Sequence, residues 1–259
     1  MSHWKALEPL IVEDATRALR ELLNQNPGER LYAVAFSGMY RELDGPIYLP
    51  ALSANSVSAR EDEGSGDFWS AEWNPADWRW DEIQFSSAAL DAAADAACEI
   101  TRNDTREGWL LAQQECIDML VSAARKVRAA LGDAPQLTPD FVLFLHDDEN
   151  GLDLARRCIG DAEFQALFPK EAVAQRERMR VASLPVEERV AWLVGRLGRF
   201  DGKPVDAEDA EQWLIDIGAP AVPALVEQLA RPRGRFGSEA ARMLGRIGLA
   251  TPEVLDALR

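Results

Sequence analysis

Residues 31–36 read Leu-Tyr-Ala-Val-Ala-Phe, and this short apolar run decides how the chain around it is interpreted. An apolar run of this length between turn residues is typical of a buried β-strand. Residues 47–52 follow an Asp-Gly-Pro turn, so we expect them to form the antiparallel neighbour of the first run. Pro50 favours an edge position or a bulge for that second strand. Residues 141–145, Phe-Val-Leu-Phe-Leu, give the clearest third strand.

Helical patterns surround these three runs. Apolar side chains at helical spacing, together with capping residues, predict helices over residues 5–24, from Ser86 or Ser87 to about Ile100, and from Asp104 or Thr105 to Gly132. Asp104 and Glu107 have the spacing of a capping box at the start of the third helix. Strand-like runs set among helices predict an α+β domain with a small antiparallel sheet over residues 1–168.

The last third of the chain has no strand pattern, and it contains a short helical sequence pattern twice. Gly248 follows Gly218 by 30 residues, and each glycine follows an isoleucine and precedes a proline that can open the next helix. This pattern resembles HEAT-type helical repeats, which commonly provide protein-binding surfaces. We therefore expect an all-α, HEAT-like domain over residues 169–259. The alternative is that these helices form only a cap on the first domain.

The charge balance of the chain bears on its partners. The formal net charge is -16, from 44 acidic and 28 basic residues. Binding to a phosphate backbone depends on clustered Lys and Arg, so we expect no direct contact with nucleic acid. An acidic protein suits a basic protein partner, although acidity also serves solubility alone.

The cysteines and the apolar runs bear on the compartment. Cys98, Cys116 and Cys158 are odd in number and form no Cys-x-x-Cys pair, which favours buried, reduced thiols. The N-terminus lacks the pattern of a secretory signal, and no apolar run is long enough to cross a bilayer. These patterns predict a cytoplasmic protein with no membrane partner.

Residues 60–82 hold the most informative candidate site. The segment contains four of the 8 tryptophans, interleaved with carboxylates. Tryptophan is enriched among interface anchors, and carboxylates attract a cationic partner. The candidate partner-binding residues are Glu61, Asp62, Glu63, Asp67, Trp69, Glu72, Trp73 and Asp77. The alternative is core packing over the sheet, which we favour for Trp78 and Trp80. An exposed aromatic segment also permits a homodimer.

Motifs that would indicate catalysis are scarce in this sequence. The sequence has no phosphate-binding glycine loop, no nucleophile elbow and no zinc-binding His-Glu-x-x-His. Asp147, Asp148 and Glu149 follow His146 and have the chemistry of a divalent-cation site or a general base, but a solvated acidic turn is the simpler interpretation. We therefore expect no catalytic residue, metal or cofactor, and no enzyme. A carboxylate- or metal-dependent hydrolase is the alternative.

The order of motifs also carries a resemblance. The Leu-Tyr-Ala-Val-Ala-Phe strand, the Trp-Asn-Pro-Ala-Asp-Trp segment at residues 73–78 and the Phe-Val-Leu-Phe-Leu strand resemble a family of uncharacterised bacterial proteins. That family occurs among the immunity proteins of polymorphic toxin and type VI secretion systems. The resemblance covers residues 1–168 and implies that the chain binds and blocks a cognate antibacterial toxin.

A nuclease toxin would suit the charge of this chain, since its substrate groove must be cationic and an acidic inhibitor can occupy it. A HEAT-type adaptor or regulator unconnected with toxins is the second hypothesis.

Overall fold

The computed structural model of this chain describes residues 3–43, 45–60, 67–102, 104–132, 134–147, 151–199, 201–230, 237–249 and 251–257. The chain divides into two compact units, Met1–Pro169 and Lys170–Arg259. The first unit contains a small mixed sheet with helices, and in the described part of the second unit the regular elements are all helices. The predicted α+β fold class is therefore confirmed.

Four strands form the sheet of the first unit. They are β1 (Leu31–Ser37), β2 (Ala51–Ser56), β3 (Trp80–Ile83) and β4 (Leu137–Leu145), in the spatial order β3-β2-β1-β4. β2 lies antiparallel to β1, and β4 lies parallel to β1. The sheet is therefore mixed rather than antiparallel as predicted, because β4 reaches β1 only after the α2 and α3 helices and enters in the same direction. The carboxyl ends of β1 and β4 consequently meet at the same end of the sheet, and the chain that follows each strand emerges there.

The second predicted strand is displaced along the chain. β2 begins at Ala51, four residues after the predicted start at Ile47. Ile47 instead forms an isolated antiparallel bridge with Arg41 inside the β1–β2 loop. Pro50 has no amide hydrogen and cannot donate to a ladder, so regular pairing starts only after it.

Helices pack around this sheet. They are α1 (His3–Gln25), α2 (Ala88–Arg102), α3 (Arg106–Leu131), α4 (Gly151–Ile159) and α5 (Asp161–Leu167). α1 contacts α2 and α3, while α3 and α4 contact β4. The predicted cap of α2 is confirmed, because the Ser87 hydroxyl accepts a hydrogen bond from the amide of Leu90 at 3.3 Å.

The predicted capping box of α3 is wrong. Thr105 caps the helix, and its hydroxyl accepts from the amide of Gly108 at 3.1 Å. The Asp104 carboxylate instead accepts from the amide of Thr105 at 2.7 Å, one residue before the helix. The cap therefore begins one residue later than the Asp104–Glu107 spacing indicated, because the Asp104 carboxylate accepts its hydrogen bond from the adjacent Thr105 amide and the Thr105 hydroxyl caps the helix.

The second unit consists of helices in its described residues. They are α6 (Pro169–Ala182), α7 (Val186–Val194), α8 (Ala207–Ile217), α9 (Val222–Ala230), α10 (Gly237–Ile247) and α11 (Pro252–Ala257). α8 contacts α10 and α9 contacts α11, so helices about one repeat apart lie side by side. Arg242 of α10 pairs with Glu211 of α8, which adds a polar link between the same two helices.

Two glycines end the corresponding helices of this unit. Gly218 follows α8 with a φ of 70°, and Gly248 follows α10 with a φ of 74°. A positive φ favours a residue without a Cβ, and both helices end at these glycines, which confirms the helix stops predicted from the repeated Ile-Gly pairs.

Candidate functional site

One face of the sheet is covered by the tryptophan segment. In-register neighbours share a face, so Ala35 of β1 lies beside Phe144 of β4. Trp73 packs edge-to-face on Tyr32 with ring centroids 5.4 Å apart, and Trp78 packs on Phe144 at 6.0 Å.

Two polar atoms of this buried cluster share one backbone acceptor. The indole N–H of Trp78 and the hydroxyl of Tyr32 both donate to the backbone carbonyl of Glu72, at 2.9 and 2.6 Å. Trp73 and Trp78 are each only 4% exposed. Trp78 therefore has the core role that we favoured from the sequence, and the burial of Trp73 does not suit the partner contact expected of it.

Trp69 is placed differently from the other tryptophans. The structure describes all eight, and only Trp69 is exposed, with 57% of its surface accessible. Its neighbour Phe68 is buried against Phe144 and Phe168, with centroid distances of 6.0 and 5.2 Å. The Trp69 ring meets Phe68 edge-to-face at 5.1 Å. An exposed indole thus rests on the buried aromatic core.

Local contacts hold Trp69 in place. The Asp67 carboxylate accepts from the amide of Trp69 at 3.0 Å, and the amide of Ser70 donates to the Asp67 carbonyl at 3.1 Å. Gly151, the first residue of α4, lies beneath both rings. A Cβ at this position would stand 3.4 Å from Phe68 and 3.9 Å from Trp69, which are ordinary van der Waals distances, so the start of α4 lies close against both rings. A side chain ordered in this way loses little further freedom on binding.

The other predicted site residues separate into three groups. Glu72 is paired with Arg60, and its side chain is almost buried. Asp77 is exposed, and its carboxylate accepts a hydrogen bond from the side-chain amide of Asn74 at 2.7 Å within a local turn. Three further predicted residues, Glu61, Asp62 and Glu63, lie outside the described residues. Of the predicted set, the structure thus brings Asp67 and Trp69 together, and it turns Glu72 and Trp73 inward.

An ion pair that the sequence did not reveal lies at the same end of the sheet. The Arg41 guanidinium donates to both carboxylate oxygens of Asp147, each at 2.9 Å, and both side chains are buried. Asp147 was a candidate for the hydrolase alternative, and this bidentate contact occupies its carboxylate. The other candidates, Asp148 and Glu149, lie outside the described residues. The two partners are 106 residues apart, so no local pattern signals the pair.

Metal-ligand clusters and reactive thiols are the groups to consider for the hydrolase alternative. No group of three His, Cys, Asp or Glu side chains within the described ranges is arranged to hold a metal ion. All three cysteines are free and buried. Burial raises the pKa of the Cys158 thiol to about 11, and it also raises the pKa values of Cys98 and Cys116. These thiols stay protonated at neutral pH and are therefore poor nucleophiles.

Within the described part of the chain, no helix is both long and apolar enough to span a membrane. Comparison with known proteins found no similar family model, curated protein or solved structure.

Proposed function

We propose that this chain is a binding protein that holds and neutralises a cognate antibacterial toxin, and that Trp69 anchors the complex. The observation that carries the proposal is the exposed, well-supported indole of Trp69 at one end of the sheet. The resemblance of residues 1–168 to immunity proteins supplies the kind of partner. The proposal places the chain in the cytoplasm, where its free thiols stay reduced.

The energetics of recognition support Trp69 as the anchor. A tryptophan at the centre of an interface removes a large apolar area from water, and such residues dominate binding energy. Because the Trp69 side chain is already held in place in the free chain, binding costs less conformational entropy. We expect Trp69 to enter an apolar recess of the partner.

Charge supports a cationic partner. The chain carries a net charge of -16, and the sequence places Glu61, Asp62, Glu63 and Asp67 just before the anchor. Opposite charge speeds encounter and excludes wrong partners more than it adds affinity. A nuclease toxin has the required cationic groove, and the acidic chain blocks that groove without touching nucleic acid itself.

The second candidate function is a HEAT-type adaptor or regulator. The observation that favours it is the pairing of α8 with α10 and of α9 with α11 at the 30-residue repeat. Such an adaptor would bind a partner that is harmless to the cell. The hydrolase alternative has weaker support, because Arg41 occupies the carboxylate of Asp147.

Co-expression with the product of the adjacent open reading frame tests the proposed function. We expect that product to arrest growth when it is made alone, and we expect the full chain to restore growth and to co-purify with it. Trp69→Ala should lose protection. Val57→Ala should keep it, because Val57 is an exposed side chain at the opposite end of the sheet, next to the start of β1.

Absence of both binding and protection would reject the immunity role. Binding to a product that leaves growth unaffected would favour the adaptor. Sedimentation of the chain alone reports whether Trp69 instead joins two copies in a homodimer.

A further inference from the structure

The loop between β1 and β2, residues 38–50, presents apolar side chains to solvent. It is described except for residue 44. Among its described residues, the large apolar side chains of Tyr40, Leu43 and Tyr48 are exposed. The two tyrosine rings pack together with centroids 5.9 Å apart. Tyrosine is enriched at interfaces because it combines a large contact area with few rotatable bonds.

This loop is fastened at its base. The Arg41–Ile47 bridge and a hydrogen bond from the Tyr48 amide to the Tyr40 carbonyl, at 3.0 Å, join its two arms. The Arg41–Asp147 ion pair ties the first arm to the chain after β4. A buried ion pair contributes little net stability on average, so its clearest effect here is to fix the position of the arm.

Two helices hold the rest of the loop. The Trp109 indole N–H of α3 donates to the Gly45 carbonyl at 2.8 Å. The Cys98 thiol of α2 donates to the Ile47 carbonyl at 2.9 Å. The exposed tyrosines therefore stand on a supported loop, in which little order remains to be gained on binding.

The loop and Trp69 are joined by a short path of contacts. His146 continues β4 by donating its amide to the Phe36 carbonyl of β1 at 2.8 Å. Its ring stacks on Phe68, the neighbour of Trp69, at 6.2 Å. The next residue, Asp147, binds Arg41 of the loop. Trp69 and the tyrosine pair thus belong to one end of the sheet, where β1 and β4 both finish.

We infer that Tyr40, Leu43 and Tyr48 form the second half of the partner-binding surface whose first half is Trp69. The occupant is the cationic toxin of the proposed function, on which this inference rests. Charge complementarity selects it: Arg41 is neutralised by Asp147, whereas the Glu42 carboxylate in the same loop is exposed. A surface with exposed aromatics and net negative charge fits a basic protein with an apolar recess.

The binding affinity of loop variants tests this inference. The probe is the purified product of the adjacent open reading frame, titrated by calorimetry into the full chain. Replacing both Tyr40 and Tyr48 with alanine should weaken binding by about tenfold or more. The Val57→Ala control should bind within about twofold of the unchanged chain. Melting curves of each variant report whether it is folded.

A pair of charge variants keeps the inference testable if the double alanine variant fails to fold. Tyr48→Lys should weaken binding more than Tyr48→Glu, since only lysine places a cation against the cationic partner. Equal affinities for these two variants and the unchanged chain would overturn the inference. Loss of binding by Trp69→Ala alone would leave the proposed function intact but remove the loop from the interface. Unchanged binding by all variants, Trp69→Ala included, would overturn this inference and the role of Trp69 as the anchor, but not the binding of the toxin itself.

Discussion

Replacing Trp73 with alanine is expected to destabilise the first unit by about 3–5 kcal/mol, whereas replacing Trp69 should cost under about 1 kcal/mol. Trp73 is buried between Tyr32 and Phe168, at centroid distances of 5.4 and 4.7 Å, so alanine leaves a cavity in the core. The outer face of the Trp69 ring is in contact with water, and alanine at this position removes mainly the ring contact with Phe68. Hydrogen exchange of the β1 amides in the full chain measures both effects on the first unit alone.

The two variants serve as controls for each other, because they remove the same side chain from positions four residues apart. Equal loss of exchange protection would contradict the division between a core tryptophan and an exposed one. A large loss for Trp69→Ala would show that its ring supports the fold, which would remove the basis for treating it as a binding anchor.

Replacing Arg41 with alanine is expected to cost about 3–5 kcal/mol, since it leaves the buried carboxylate of Asp147 without its cation. Arg156→Ala is the matched control. Arg156 pairs with Asp153 and Asp161, which are both exposed, so its removal should cost under about 1 kcal/mol. Hydrogen exchange of the β4 amides reports the change in each variant.

A double variant separates the ion pair from the packing of its side chains. Arg41→Met combined with Asp147→Leu removes both charges and keeps much of the volume, so it should lose less stability than Arg41→Ala alone. If Arg41→Ala lowered stability no more than Arg156→Ala, the Arg41–Asp147 ion pair would not be what fixes the position of the loop.

Part of the fold follows directly from sequence patterns. The apolar runs at 31–36 and 141–145 form strands that are buried on both faces of the sheet. A short, continuous apolar run is typical of such a strand. The stops at Gly218 and Gly248 follow from the conformational freedom of glycine. These features depend on local chemistry, so the sequence is sufficient to predict them.

Other parts depend on contacts that no local pattern records. β3 has only four residues, two of them charged, and Glu82 adopts a φ of 48° within it. Its pairing with β2 is irregular, so it lacks the alternation of a half-buried strand. The parallel pairing of β1 with β4 joins segments separated by about a hundred residues. It is decided by tertiary packing.

The candidate site divides in the same way. Composition indicates the tryptophan segment as the candidate partner-binding site, but it does not show that Trp69 is exposed and Trp73 is buried. That difference comes from the aromatic face of the sheet, where Phe68 and Trp73 both contact Phe168 and Trp69 is left outside. The sequence does not single out the loop that we propose as a binding surface, because Tyr40 and Tyr48 form no recognisable motif. Their exposure is visible only in the structure.

The affinity of Trp69→Ala for the product of the adjacent open reading frame tests the central claim most directly. We predict that calorimetry with the full chain will show binding weakened by about 30-fold or more, with melting behaviour unchanged and Val57→Ala binding normally. Binding of Trp69→Ala with the same dissociation constant as the unchanged chain would contradict the account.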